Sequence, residues 1–149
     1  MFKNILLATD GSAASELAAQ LAVDLARSND ARLTALYVVD PYPYLGIGET
    51  NPLGFQAYMS AAYEHAAQAH AKVSAMCAQG GRPVDLHVRR VEDMHASEGI
   101  LHGAKEVGAD LIVVGSHGRT GIRRLMLGSI AAQVVSQSPV PVLVARGPG

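Results

Sequence analysis

The chain has 149 residues, 49% of them apolar and 17% charged, with a formal net charge of −1. That length suits one domain, 1–149, burying roughly 68–70% of its unfolded surface, so a core forms without staples. The near-neutral charge gives no global pull toward nucleic acid or anionic membrane, and a nucleic-acid reader normally shows a basic stripe, whereas here only Arg119, Arg123 and Arg124 cluster. No apolar run reaches the ~20 residues of a membrane span. The start, Met1 to Asn4, leads into too short an apolar run for a signal peptide. Cys77 is the single cysteine, so no disulfide forms within the chain; a buried or half-buried free thiol suits a reducing cytoplasm.

In chain order, Ile5-Leu6-Leu7-Ala8 is apolar on both faces, the pattern of a central parallel strand. Ser12 is a helix N-cap with Glu16 in the first turns, and Ala14, Leu17, Ala18, Leu21, Ala22 and Leu25 mark the expected inward face. Leu33 to Val39 is the second strand. Residues 40–54, with Pro41, Pro43, Gly46, Gly48 and Pro52, form an irregular loop of functional length. A helix runs from about Phe55 to Ala78. Val84 to Arg89 alternates apolar and polar, predicting an edge strand with one wet face.

A helix from about Ser97 to Val107 turns Ile100, Leu101, Ala104 and Val107 inward and stops at Gly108. Leu111 to Val114 is the fourth strand, and Ser129 to about Ser136 the fourth helix. Val140 to Ala145 is the last strand. Pro141 has no N–H to give a ladder, which places this strand at an edge. A bare apolar edge aggregates unless covered, and the economical cover is a second copy paired antiparallel about a two-fold axis. Strands alternating with helices predict parallel pairing with right-handed crossovers, an α/β doubly wound layer.

The informative stretch lies between the fourth strand and the fourth helix. Val114 leads into Gly115, Gly118 follows after Ser116-His117, and nine residues later come Gly128 and Ser129. Glycines let backbone N–H groups approach phosphate oxygens, and a helix N-terminus adds unpaired donors and partial positive charge. Gly118, Gly128, Ser129 and Ile130 are therefore expected to hold phosphates, and a Cβ at Gly118 or Gly128 is expected to intrude on that space. Val38 and Val39 offer a base backbone groups and an apolar wall. Asp10 reads equally as a ribose or phosphate-metal ligand and as a helix-start carboxylate. The arginines read first as a solvated surface. His117 sits inside the loop; His95 and His102 read as capping or surface residues. The spacing is not a Walker A motif, because no Gly-Lys-Ser/Thr follows.

These residues resemble the universal stress proteins in their ATP-binding branch. The family motif G-2x-G-9x-G-S/T is met by Gly115, Gly118, Gly128 and Ser129, and GSHGRTG, the opening FKNILLATDGS and the ending SPVPVLVAR are similar to family hallmarks across the chain. The resemblance implies a three-layer, Rossmann-like fold near the adenine nucleotide alpha hydrolases, its five-stranded parallel sheet in order 3-2-1-4-5. It implies binding of ATP, or of AMP or ADP, with Mg2+ or Mn2+ on the phosphates. A site is implied at Ala8, Asp10, Val38, Val114, Gly115, His117, Gly118, Arg119, Gly128, Ser129 and Ile130. A homodimer through Val140 to Val144, possible higher oligomers and an unidentified regulatory protein partner complete the expectation. Ala8 departs from the proline that many relatives carry there, and Tyr42 to Phe55 is not carried over. The reading is a cytoplasmic, nucleotide-dependent stress-response regulator with at most slow hydrolysis. Its alternatives are an adenylating or pyrophosphate-releasing enzyme and a structural dimer. The first lacks its signature at Asp10-Gly11-Ser12-Ala13-Ala14; the intact Gly/Ser set argues against the second.

Overall fold

Three consecutive apolar residues in an extended chain point to opposite faces, so both faces must be covered. The computed structural model, which describes residues 1–42, 52–117 and 127–146, meets that demand with a three-layer arrangement. β1 (Asn4–Ala8) is the central strand. It is followed by α1 (Ala13–Asn29), β2 (Arg32–Val38), α2 (Pro52–Ala78), β3 (Asp85–Val91), α3 (Ala96–Val107), β4 (Leu111–Gly115), α4 (Ser129–Gln137) and β5 (Val142–Ala145). The strands form one parallel sheet in the expected order β3-β2-β1-β4-β5. Ile5, Leu6 and Leu7 have no exposed surface. Ile5 and Leu7 join Leu33, Ala35 and Val113 beneath α1 and α2, while Leu6 joins Leu36, Ile112 and Val114 beneath α3 and α4.

Helix faces differ from the sequence expectation in an instructive way. Ser12 caps α1, its side chain accepting the Ser15 N–H at 3.2 Å. The buried stripe, however, is Ser15, Ala18, Ala19, Ala22, Val23 and Ala26, and Leu17, Leu21 and Leu25 lie half-buried along its flank. Small residues let the helix axis approach the sheet, and the leucines fill its margin. α3 follows the same logic: Gly99, Ile100, Gly103 and Ala104 are buried, whereas Leu101 and Val107 are only partly covered. Gly108 ends α3 in the left-handed conformation (φ 67°), as expected of a C-terminal stop.

At the sheet edges, β3 is wetter than its alternation suggests. Val88 is 53% exposed, because one helix cannot cover an edge strand along its length. Long side chains partly shield the strand: the Arg90 guanidinium lies 3.9 Å from the Tyr63 ring centroid, and Arg89 pairs with Glu106 at 2.8 Å. β5 forms the opposite edge and begins at Val142; Pro141 stays outside it, its carbonyl accepting the Ile112 N–H at 3.0 Å. α2 begins at Pro52, three residues before its expected start; the rest of the expected loop, 43–51, lies outside the described residues.

Two contacts hold the frame of the sheet's carboxyl end and its far side. The last turn of α2 carries no basic residue to satisfy its carbonyls. Arg27 of α1 does so instead, donating to the carbonyls of Met76, Cys77, Gln79 and Arg82 at 2.8–3.4 Å. At the other end, the Gly128 N–H donates to the Ser116 carbonyl at 2.8 Å, tying the start of α4 to the exit of β4. A Cβ on Gly128 would itself stand 2.8 Å from that oxygen, so it would strike the protein's own backbone and strain the fold, not merely occupy ligand space.

Arg27→Ala should lower the unfolding free energy by about 2 kcal/mol, since charged hydrogen bonds to the carbonyls at the end of α2 and just beyond it are lost. Arg27→Lys should recover only part, because an ammonium cannot reproduce the guanidinium fork. Urea titration checks both, and an unchanged midpoint in Arg27→Ala would contradict the capping role. Gly128→Ala should destabilise the ligand-free protein by about 1–2 kcal/mol through the strained Ser116 contact; thermal melting without nucleotide measures this.

Candidate functional site

In a doubly wound sheet the connections leave in opposite directions where the strand order reverses, which opens a crevice beyond the carboxyl ends of the strands. Here that place lies between β1 and β4, and a cavity of about 480 Å³ occupies it. Ala8 and Asp10 enter it from the exit of β1, Val38 from the end of β2, and Val114, Gly115 and His117 from the exit of β4. Gly128, Ser129 and Ile130 close it from the start of α4. Elements far apart in sequence thus bring these expected residues to one space. Gly118, Arg119, Gly121, Arg123 and Arg124 lie outside the described residues.

Local hydrogen bonds set each exit. The Thr9 N–H continues the ladder to the Leu36 carbonyl at 3.0 Å, and its buried hydroxyl accepts the Gly11 N–H at 3.3 Å. Asp10 Oδ1 accepts the Ser12 N–H at 2.9 Å, so the helix-start role of this carboxylate is realised. Just past β4, the Ser116 N–H donates to the Ala145 carbonyl at 2.8 Å, and its Oγ lies 2.9 Å from His117 Nδ1. The Ser116 side chain is thereby placed to orient the imidazole. Because the Gly128 N–H is engaged by Ser116, the backbone donors of α4 that face onward begin with Ser129 and Ile130, in a first turn that lacks intrahelical acceptors.

Sequence reasoning did not single out one wall of the cavity. Tyr58, Ala61, Ala62 and His65 of α2 all line it, and their spacing of three, four and seven residues is that of one helix face. The Tyr58 hydroxyl donates to the Asp40 carbonyl at 2.7 Å, and the Tyr42 ring meets Phe55 and Tyr58 edge-on at 5.6 and 5.3 Å. Periodicity alone could have found this face; which side of α2 met the site depended on its crossing over β2. Thr9 and Ser116 were also missed, although polar residues at the ends of apolar strands are a usable signal.

The cavity therefore has two characters. Leu36, Val38, Val39 and Ile100 form an apolar end, and Asp10, Ser116, His117 and Ser129 a polar one. Away from the cavity, burial raises the Cys77 thiol, a hydrogen bond to Glu92 raises Tyr63, and burial lowers His70, with the Arg90 charge acting in the same direction. Among the described residues there is no group of three His, Cys, Asp or Glu side chains arranged to hold a metal. His102 pairs with Glu106 one turn on, and His95 occupies the N-cap of α3. No described helix is long and apolar enough to cross a membrane.

The sequence model of the universal stress protein family matches residues 1–146. A universal stress protein of Methanocaldococcus jannaschii is 36% identical over 148 residues, spanning 99% of this chain and 84% of that one. The universal stress protein UspA from Lactobacillus plantarum superposes with a TM-score of 0.72 at 28% identity, over 97% of each chain. A universal stress protein crystallised in complex with cAMP gives a TM-score of 0.69 at 26% identity, again over 97% of each chain. With its fold, strand order and nearly full-length match agreeing, the chain belongs to the universal stress protein family.

Proposed function

We propose that the cavity binds an adenine nucleotide, ATP or its AMP and ADP forms, and that the protein is a nucleotide-dependent regulator of a stress response. The observation that carries this reading is the joining of an apolar slot to the N-terminus of α4 across the switch in strand order. A base suits the slot at Val38 and Val39, and phosphates suit the first turn of α4, where Ser129 adds a hydroxyl to the backbone donors. Asp10, at the exit of β1 between β2 and β4, is suited to a ribose hydroxyl or to a phosphate-bound cation. Gly115 and His117 border the phosphate end, and the motif adds Gly118 and Arg119 there. A relative of the same fold crystallised with cAMP supports the reading.

Mg2+ or Mn2+ fits this donor set as an ion held mainly by phosphate oxygens, with Asp10 a carboxylate of the cavity wall that could join them, since Mg2+ commonly takes one or two carboxylates plus phosphates. The cation would neutralise phosphate charge; the protein's own part is to orient the chain of phosphates along α4. Turnover is slow at most in this reading. The adenylating alternative loses ground because Ser12, at the place of its signature, already caps α1.

Two further parts complete the proposal. β5 pairs antiparallel with β5 of a second copy through Val140 to Val144, covering half-buried Val142, Leu143 and Val144 at the sheet edge. A regulatory protein partner reads the nucleotide state, in a cytoplasm where the lone Cys77 stays reduced.

Isothermal titration should detect ATP binding, and a flat trace both with and without Mg2+ would refute the nucleotide reading. Ser129→Ala should weaken that binding by about 1 kcal/mol, roughly fivefold, for one lost hydrogen bond. Multi-angle light scattering should report at least a dimer, whereas a monomer at micromolar concentration would contradict the pairing of β5.

A further inference from the structure

Gly99 lies in the second turn of α3, where its N–H makes a regular helical bond to the His95 carbonyl at 2.8 Å. Its conformation does not call for glycine, and a glycine inside a helix is less stable than an alanine. Space does call for it. A Cβ on Gly99 would stand 2.9 Å from both γ carbons of Val38 and 3.5 Å from its Cβ. One turn on, a Cβ on Gly103 would stand 2.8 Å from a Leu36 δ carbon. The two glycines therefore seat α3 against β2 more closely than any side chain there would permit.

That contact belongs to the cavity wall. Val38 and Leu36 line the apolar end from β2, and Ala96 and Ile100 line it from α3. Val38 is β-branched and stiff at χ1, so it cannot swing away from an added methyl. It is also held in register with Val91 of β3, and the Val39 N–H donates to the Val91 carbonyl at 2.8 Å. A methyl at position 99 must then push the Val38 methyls into the slot or lift α3 and carry Ala96 and Ile100 with it. Either response changes the width of the slot.

We propose that Gly99 is a positioning residue that sets the width of the apolar slot through Val38, and with it the preference of the site for a purine over a pyrimidine base. The inference rests on the nucleotide reading and adds its specificity determinant. A slot matched to a flat two-ring base gains most from that base, and a change of one methyl in an apolar pocket shifts discrimination by about tenfold. A pyrimidine, with less ring area against the walls, loses less when the slot is disturbed.

The test is a double-variant cycle of Gly99→Ala and Val38→Ala, each protein titrated calorimetrically with ATP and UTP and melted without ligand. Each single variant should lower the ATP:UTP affinity ratio by about tenfold, one by crowding the wall and the other by emptying it. The double variant should return to within about twofold of the wild type and melt above both single variants, since the new methyl fills the vacated space. If Gly99→Ala alone does not fold, the comparison of Val38→Ala with the double variant carries the same test. A wild type that binds ATP, combined with an unchanged ratio or with additive losses in the double variant, overturns the inference and leaves the nucleotide reading intact. A wild type that binds neither nucleotide overturns both.

Discussion

Ile5, Leu6 and Leu7 are wholly buried, and the architecture follows from covering three successive apolar side chains on two opposite faces. Alternation sends Leu6 to one layer and its neighbours to the other, so β1 can be stable only between helices on both sides. Parallel pairing with β2 and β4 supplies its backbone partners, and the helical crossovers supply the cover. The crossovers leave β1 and β4 in opposite directions, which empties the space beyond their carboxyl ends. The cavity is thus a consequence of how the core is covered, and its polar rim is the set of residues that terminate the buried strands.

Close packing by small residues is the second constraint. Ala18, Ala22 and Ala26 bring α1 down on one face, and Gly99 and Gly103 bring α3 down on the other. The absence of large aromatic residues from most of the core makes this possible: the layers close because the helices come near, not because bulky rings fill the gap. At the rim the same closeness acts on backbone groups. Ser116 receives the Gly128 N–H and donates its own to Ala145, joining β4, α4 and β5 at one residue.

Much of this was legible beforehand. Strong local patterns marked the strands: continuous apolar runs for β1, β2 and β4, alternation for β3, and a proline beside β5 that argued for an edge. Ser12 and Gly108 announced helix ends by side-chain and backbone chemistry that acts within a turn. The glycine spacing drew attention to the loop that β4 feeds into α4. Helix faces were less legible, since α1 is rich in alanine and offers two overlapping apolar stripes; choosing between Leu21 and Val23 as the inward residue required knowing how near the sheet would lie. The glycines of α3 were invisible as packing devices, because nothing local distinguishes a glycine that admits a neighbour from one that merely weakens a helix.

The residues of β1 and β4, the caps of α1 and α3 and the Gly/Ser spacing after β4 were therefore determined by sequence alone, because each expresses an interaction between residues close along the chain. The tertiary structure decided what depends on distances between remote segments. It chose the alanine stripe over the leucine stripe, turned Tyr58 and His65 of α2 toward the crevice, engaged the Gly128 N–H with Ser116, and set Gly99 against Val38. The reason is physical: periodicity records that a face is buried, whereas a Cβ-sized gap or a shared carbonyl exists only after the layers have met.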